Sequence, residues 1–134
     1  MVDCDPLDST RQPPPILWTL GLLHGELRRL HGLALHDYLV LGALAEAGGR
    51  PVPVARLTAF LQESGHRMSA LLKSLQAAGL IERDRRDGDR RTVEVTLTDA
   101  GRARFTDAEK TARAVLGRRL VRGRVATRRS PAPG

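Results

Sequence analysis

The stretch from Gly79 to Gly101, Gly-Leu-Ile-Glu-Arg-Asp-Arg-Arg-Asp-Gly-Asp-Arg-Arg-Thr-Val-Glu-Val-Thr-Leu-Thr-Asp-Ala-Gly, constrains the fold of this chain more than any other segment. Gly79 follows an apolar helical run and suits a left-handed helix stop, because glycine has no Cβ to clash there. Asp87-Gly88 is a strong two-residue turn signal. Thr92-Val93-Glu94-Val95-Thr96-Leu97 alternates as a half-buried strand does, which puts Val93, Val95 and Leu97 on one face. Thr98 is then placed to cap a new helix. The segment therefore predicts a helix end, a strand, a hairpin, a second strand and a helix start. Arg85, Arg86, Arg90 and Arg91 crowd the hairpin tip, where guanidinium groups suit phosphates or a narrow minor groove. Asp84, Asp87 and Asp89 lie among them, so a solvated hairpin laced with weak surface ion pairs is the alternative.

Upstream, residues 1–15 are polar and end in Pro13-Pro14-Pro15, which predicts a disordered N-terminal arm. Ile16, Leu20, Leu23, Leu27 and Leu30 recur at helical spacing and predict a first helix over about 16–31, ended by Gly32. A second helix, about 36–47, stops at Gly48-Gly49, and Pro51 and Pro53 keep the next connection extended. Val54 to Leu61 reads as a short third helix. Ser64 is a candidate N-cap for a fourth, over about 65–78. In that helix Met68, Leu71, Leu72 and Leu75 share one side and are expected in the core. His66, Ala70, Lys73 and Ala77 then point the opposite way, with Arg67, Ser69 and Ser74 on the flanks. An outward face of small residues with a few donors can seat deeply in a major groove. After the hairpin, Phe105, Ala108, Ala112, Val115 or Leu116, and Leu120 form the stripe of a last helix over about 99–121. Residues 123–134 are dominated by Arg, Ser, Pro and Gly and are expected to form a basic disordered tail.

The 134 residues suit one domain. The net charge of +7 is uneven: Lys110, Arg113, Arg118, Arg119, Arg122, Arg124, Arg128 and Arg129 face no acid after residue 109, so the excess belongs to the C-terminal quarter. Cys4 is the single cysteine, which rules out an internal disulfide and reads as a cytoplasmic chain. Asp3 and Asp5 beside it disfavour the thiolate that a reactive cysteine needs, so Cys4 reads as a bystander. The acidic start lacks the basic and apolar regions of a secretory signal. The longest apolar stretch, about Tyr38 to Ala45, is far short of the ~20 residues that cross a bilayer, so no membrane partner is expected. No His-Glu-x-x-His, paired Cys-x-x-Cys, phosphate-binding glycine loop or dinucleotide fingerprint is present. Neither catalysis, nor a cofactor, nor a metal is expected.

This order of elements resembles the winged helix-turn-helix of the MarR family of bacterial transcription regulators. The matching residues are Asp37-Tyr38-Leu39-Val40-Leu41, Gly79-Leu80-Ile81-Glu82-Arg83, Asp89-Arg90-Arg91 and Leu97-Thr98-Asp99-Ala100-Gly101, and the likeness spans about residues 16–120. The resemblance implies a mainly α fold with a small β-hairpin: a winged helix-turn-helix over 16–122 with N- and C-terminal dimerisation helices. It implies a cytoplasmic homodimer that regulates transcription by binding a near-palindromic operator in double-stranded DNA. The candidate DNA contacts are Ser64, His66, Arg67, Ser69 and Lys73 on the fourth helix and Arg86, Arg90 and Arg91 in the wing, with Asp89 bracing the wing. The family's dimer uses the first and last helices, which makes Leu20 and Phe105 candidates for the seam. It also admits a small-molecule effector of unknown identity, for which His24, His31, Trp18 and Tyr38 are either pocket lining or helix-packing residues. Ala70 stands where relatives often carry arginine, and Lys73-Ser74 where they often carry an acidic-basic pair. These departures keep a rival open: a winged-helix protein-interaction module, or a nonspecific nucleic-acid binder acting through the basic tail.

Overall fold

The computed structural model describes residues 15–86 and 88–128; the side chains at 15, 86, 89, 90 and 118–128 lie outside it, as do residues 1–14 of the expected arm, Cys4 among them, and residues 129–134. The elements run α1 (Pro15–His31), α2 (Leu35–Glu46), β1 (Val52–Pro53), α3 (Val54–Leu61), α4 (Gly65–Ala77), β2 (Ile81–Arg86), β3 (Asp89–Leu97) and α5 (Asp99–Arg128). Each helix contributes one apolar stripe to a shared core. In α4, Met68, Leu72 and Leu75 are buried and Leu71 half-buried, while His66, Ala70, Lys73 and Ala77 are exposed, so the helical phase expected from the spacing holds. Leu23 and Leu27 of α1 are buried, as are Ala108, Ala112 and Val115 of α5, and these two helices pack together.

Where α1 leaves that contact its apolar residues emerge. Ile16 and Leu30, two members of the expected stripe, are 48% and 51% exposed. Phe105 turns inward: its ring stacks on Tyr38 with centroids 5.3 Å apart and lies over Gly42, which leaves it room. The two candidate pocket histidines each make a hydrogen bond to a neighbouring element. Nε2 of His31 is 2.7 Å from Oγ1 of Thr111, and Nδ1 of His24 accepts from the backbone N–H of Leu35 at 3.2 Å. Asp37 accepts from the N–H of Ala34 at 2.9 Å and so secures the start of α2.

The sheet has three antiparallel strands in the order β1-β3-β2, one more than the expected hairpin. The extra strand is the Pro-flanked connection: Val52 lies opposite Val95 and Pro53 opposite Glu94. An edge position tolerates proline, which has no N–H to donate. Within the hairpin Ile81 pairs with Leu97 and Arg85 with Val93, but the next rung is Arg86 with Asp89. The ladder thus takes up Arg90, Arg91 and Thr92 in a bulge before closing through Gly88 at φ +81.

The corner joining α4, β2 and α5 is tightly built. Gly79 adopts φ +78, its N–H donates to the carbonyl of Gln76, and the N–H of Leu80 reaches the carbonyl of Leu75, which is a Schellman stop with Leu75 and Leu80 both buried. Thr98 joins this corner to the next helix. Its Oγ1 donates to the carbonyl of Gly79 at 2.7 Å and accepts from the N–H of Gly101 at 2.9 Å. The first turn of α5 is pressed against Leu80 so closely that a Cβ on Gly101 would stand 2.0 Å from the Leu80 carbonyl oxygen. Glycine is therefore required at the end of the Leu-Thr-x-x-Gly motif.

At its far end α5 runs to Arg128, past the expected stop near 121 and into the segment from 123 expected to be a disordered tail. One glycine costs a helix only about 1 kcal/mol relative to alanine, and the arginines and alanine around Gly123 are good helix formers. Among the described residues no helix is long and apolar enough to cross a membrane.

Candidate nucleic-acid interface

The face of α4 turned away from the core is built from residues that cannot pay for burial against protein. His66, Arg67, Ser69, Ala70, Lys73 and Ala77 are all exposed, and the helix carries no acidic residue along its length. Small residues between the donors keep the surface shallow, so a groove wall can come close to the backbone. Ser64 starts the helix: its Oγ accepts from the N–H of Arg67 at 3.1 Å, satisfying one of the first-turn amides. That leaves Ser64 a capping residue whose hydroxyl is already engaged with the helix.

Arg67 is held from the turn before it. Its Nε is 3.5 Å from Oε1 of Glu63, whose other oxygen is 3.4 Å from Nδ1 of His36 on α2. Glu63 is only 13% exposed, so the carboxylate forms a fixed anchor, whereas the Arg67 side chain is 73% exposed and can exchange this partner for another anion at little cost.

The wing runs beside α4. Arg85 and Arg91 are exposed. The side chains of Arg86, Arg90 and Asp89, the expected brace, are outside the described set; their backbones form the last rung and the bulge. A crevice of about 430 Å³ is lined by Gly65, Ser69 and Leu72 of α4, by Arg83, Arg91 and Thr92 of the hairpin, and by Pro53 and Val54 where β1 meets α3. Ser69 and Arg91, two candidates from different elements, thus meet across one cleft.

Arg83, absent from the candidate DNA contacts, also belongs to this cleft. It follows Ile81 by two positions, so strand alternation puts both on the face turned toward α4, and Nε of Arg83 donates to Oε1 of Gln76 at 2.7 Å. The period-2 pattern from buried Ile81 is the signal that reveals it. The hydrogen bond ties the strand leading into the wing to the last turns of α4.

The model of the MarR family matches residues 31–92, which contain α2, the helix-turn-helix pair α3–α4 and most of the wing. A MarR-family transcriptional regulator from Silicibacter pomeroyi is 30% identical over 78% of this chain and 68% of its own length, with a TM-score of 0.65. The chain belongs to the MarR family. Among other solved relatives, the transcriptional regulator BldR from Sulfolobus solfataricus is 26% identical, covering 78% of this chain and 73% of that one at a TM-score of 0.72. CouR from Rhodococcus jostii, whose structure is bound to p-coumaroyl-CoA, is 25% identical over 75% and 68% of the two chains at a TM-score of 0.67. No curated protein matches the sequence. The fold of this MarR-family chain, with its β2–β3 wing, is thus that of a DNA-binding transcriptional regulator.

Proposed function

We propose that this MarR-family protein is a cytoplasmic, sequence-specific regulator of transcription that binds a near-palindromic operator in double-stranded DNA as a homodimer. One observation carries the reading: α4 has an acid-free, exposed face with His66, Arg67, Ser69 and Lys73, and Ser69 on that face shares a cleft with Arg83 and Arg91 of the hairpin. Seating α4 in a major groove brings Ser69 and Lys73 to base edges and lets the wing arginines, Arg86, Arg90 and Arg91, grip the flanking backbone or minor groove. Asp89, at the base of the bulge, is the brace of that wing. Dimerisation is supported by the apolar residues that α1 leaves outside, Ile16, Leu17, Leu22 and Leu30. Two copies then address half-sites about one helical turn apart. The ligand of CouR adds the reading that a small molecule acts as effector here too.

The test is competition of a labelled promoter fragment by bulk DNA, using the full chain and a chain lacking residues 123–134. A regulator keeps its preference for the promoter in both. In a double Arg90→Ala, Arg91→Ala variant, specific and random binding should both weaken, and the slope of log affinity against log salt should flatten by about 0.9 per lost phosphate contact. Equal competition by any DNA would favour a nonspecific binder led by the tail. No binding at all would favour the interaction module that Ala70 and Ser74, both on exposed surface of α4, leave open.

A further inference from the structure

Three of the four aromatic residues in the chain, Tyr38, Phe60 and Phe105, line a single open groove of about 430 Å³ between α2, α3 and α5. Both charged residues in its lining, Glu46 and Glu109, are acidic, in a protein whose net charge is +7. Phe60 is 63% exposed and Tyr38 and Phe105 half-buried, so aromatic surface that would ordinarily be covered is left in the groove. Tyr38 and Phe105 form one stacked wall, with planes 24° apart. Burial, and then the Glu109 carboxylate, raise the Tyr38 hydroxyl above the usual phenol range, against a smaller opposing effect of Arg113, so Tyr38 meets any occupant as a neutral donor. Glu109 is 3.4 Å from Arg113 one turn along α5, but that guanidinium is 79% exposed and the pair is readily exchanged.

We propose that this groove binds a small organic cation with an aromatic or bulky apolar body. Its ammonium group is held by Glu109 and Glu46, and its body lies between Phe60 and the Tyr38–Phe105 stack. Aromatic faces attract cations through their quadrupole, and the two carboxylates supply the charge. The volume is within the range of small-ligand sites. The same groups disfavour a polyanion such as the coenzyme A thioester carried by CouR, because neither charged residue of the lining is basic. The proposal rests on the effector reading for its link to DNA: Phe60 belongs to α3, which passes through Gln62, Glu63 and Ser64 into α4.

The experiment titrates the full chain, without DNA, with benzyltrimethylammonium, phenylacetate and benzyl alcohol as cation, anion and neutral probes of similar size, followed by calorimetry and by ring resonances in NMR. The cation is expected to bind at least about tenfold more tightly than phenylacetate, with Glu109→Gln, Glu46→Gln and Phe60→Ala each weakening it while circular dichroism stays unchanged. Equal or tighter binding of the anion, cation binding indifferent to the Glu46→Gln, Glu109→Gln double variant, or no cation binding overturns the proposal. So does a Phe60→Ala chain that dissociates in sedimentation, which would make the groove an interface between copies. A protein that binds the cation but shows no promoter preference loses the regulator reading alone, whereas one that prefers the promoter but ignores the cation loses this proposal alone.

Discussion

Helices α1 and α4 bury the same kind of stripe and show solvent opposite kinds of face. α1 turns Leu23 and Leu27 inward and leaves Ile16, Leu17, Leu22 and Leu30 outside; α4 turns Met68, Leu72 and Leu75 inward and leaves His66, Arg67, Ser69, Ala70 and Lys73 outside. The buried stripe says only that a helix docks on a core. The outward face says what docks next: an apolar surface wants a protein, and a small, basic, acid-free surface wants a polyanion. In the proposed function α1 meets a second copy of the chain and α4 meets DNA.

The contrast presumes that α4 is held rigidly, and its support can be removed. Gly101→Val places carbon where the Leu80 carbonyl already is and should cost about 3 kcal/mol in urea unfolding, with loss of promoter binding. A variant of unchanged stability would mean that α5 does not grip the α4 corner. The α1 half is broken next: Leu17→Glu with Leu30→Glu should leave thermal stability nearly intact, because both side chains are about half exposed, yet raise the dimer dissociation constant about a hundredfold in sedimentation. A dimer that survives moves the interface off α1.

For α4 the signs reverse. His66→Ala or Lys73→Ala should change stability by no more than about 0.5 kcal/mol, as expected for exposed sites. Either should reduce promoter preference over random DNA by about tenfold, the scale of one good base contact. Destabilisation with preference intact would place these residues in packing. The smallest expected effect tests how α4 begins: Ser64→Ala removes the acceptor for the Arg67 amide and should cost about 1 kcal/mol. It should lower affinity for promoter and random DNA in proportion to the loss of helix order, leaving their ratio unchanged.

The features legible in the sequence are those set within a turn or two of chain. Helical spacing is enough to phase α4, and Ser64, Gly79 and Thr98 mark helix ends because each cap is completed by atoms a few residues away. Asp87-Gly88 locates the hairpin for the same reason. For the candidate interface, the exposure of His66, Arg67, Ser69 and Lys73 follows from the α4 wheel alone.

Other features depend on partners far along the chain, and no local pattern contains them. Val52 and Pro53 become a strand only because β3, more than forty positions later, presents an edge to them. Phe105 reads as one more residue on a helical stripe until Tyr38 and Gly42, more than sixty positions earlier, supply the surface on which it stacks. The sequence by itself therefore determines which faces are apolar and where elements stop, since periodicity and capping are local interactions. Tertiary structure decides which of those faces meet, because that depends on backbone paths converging across the fold, and whatever is left uncovered becomes the binding surface.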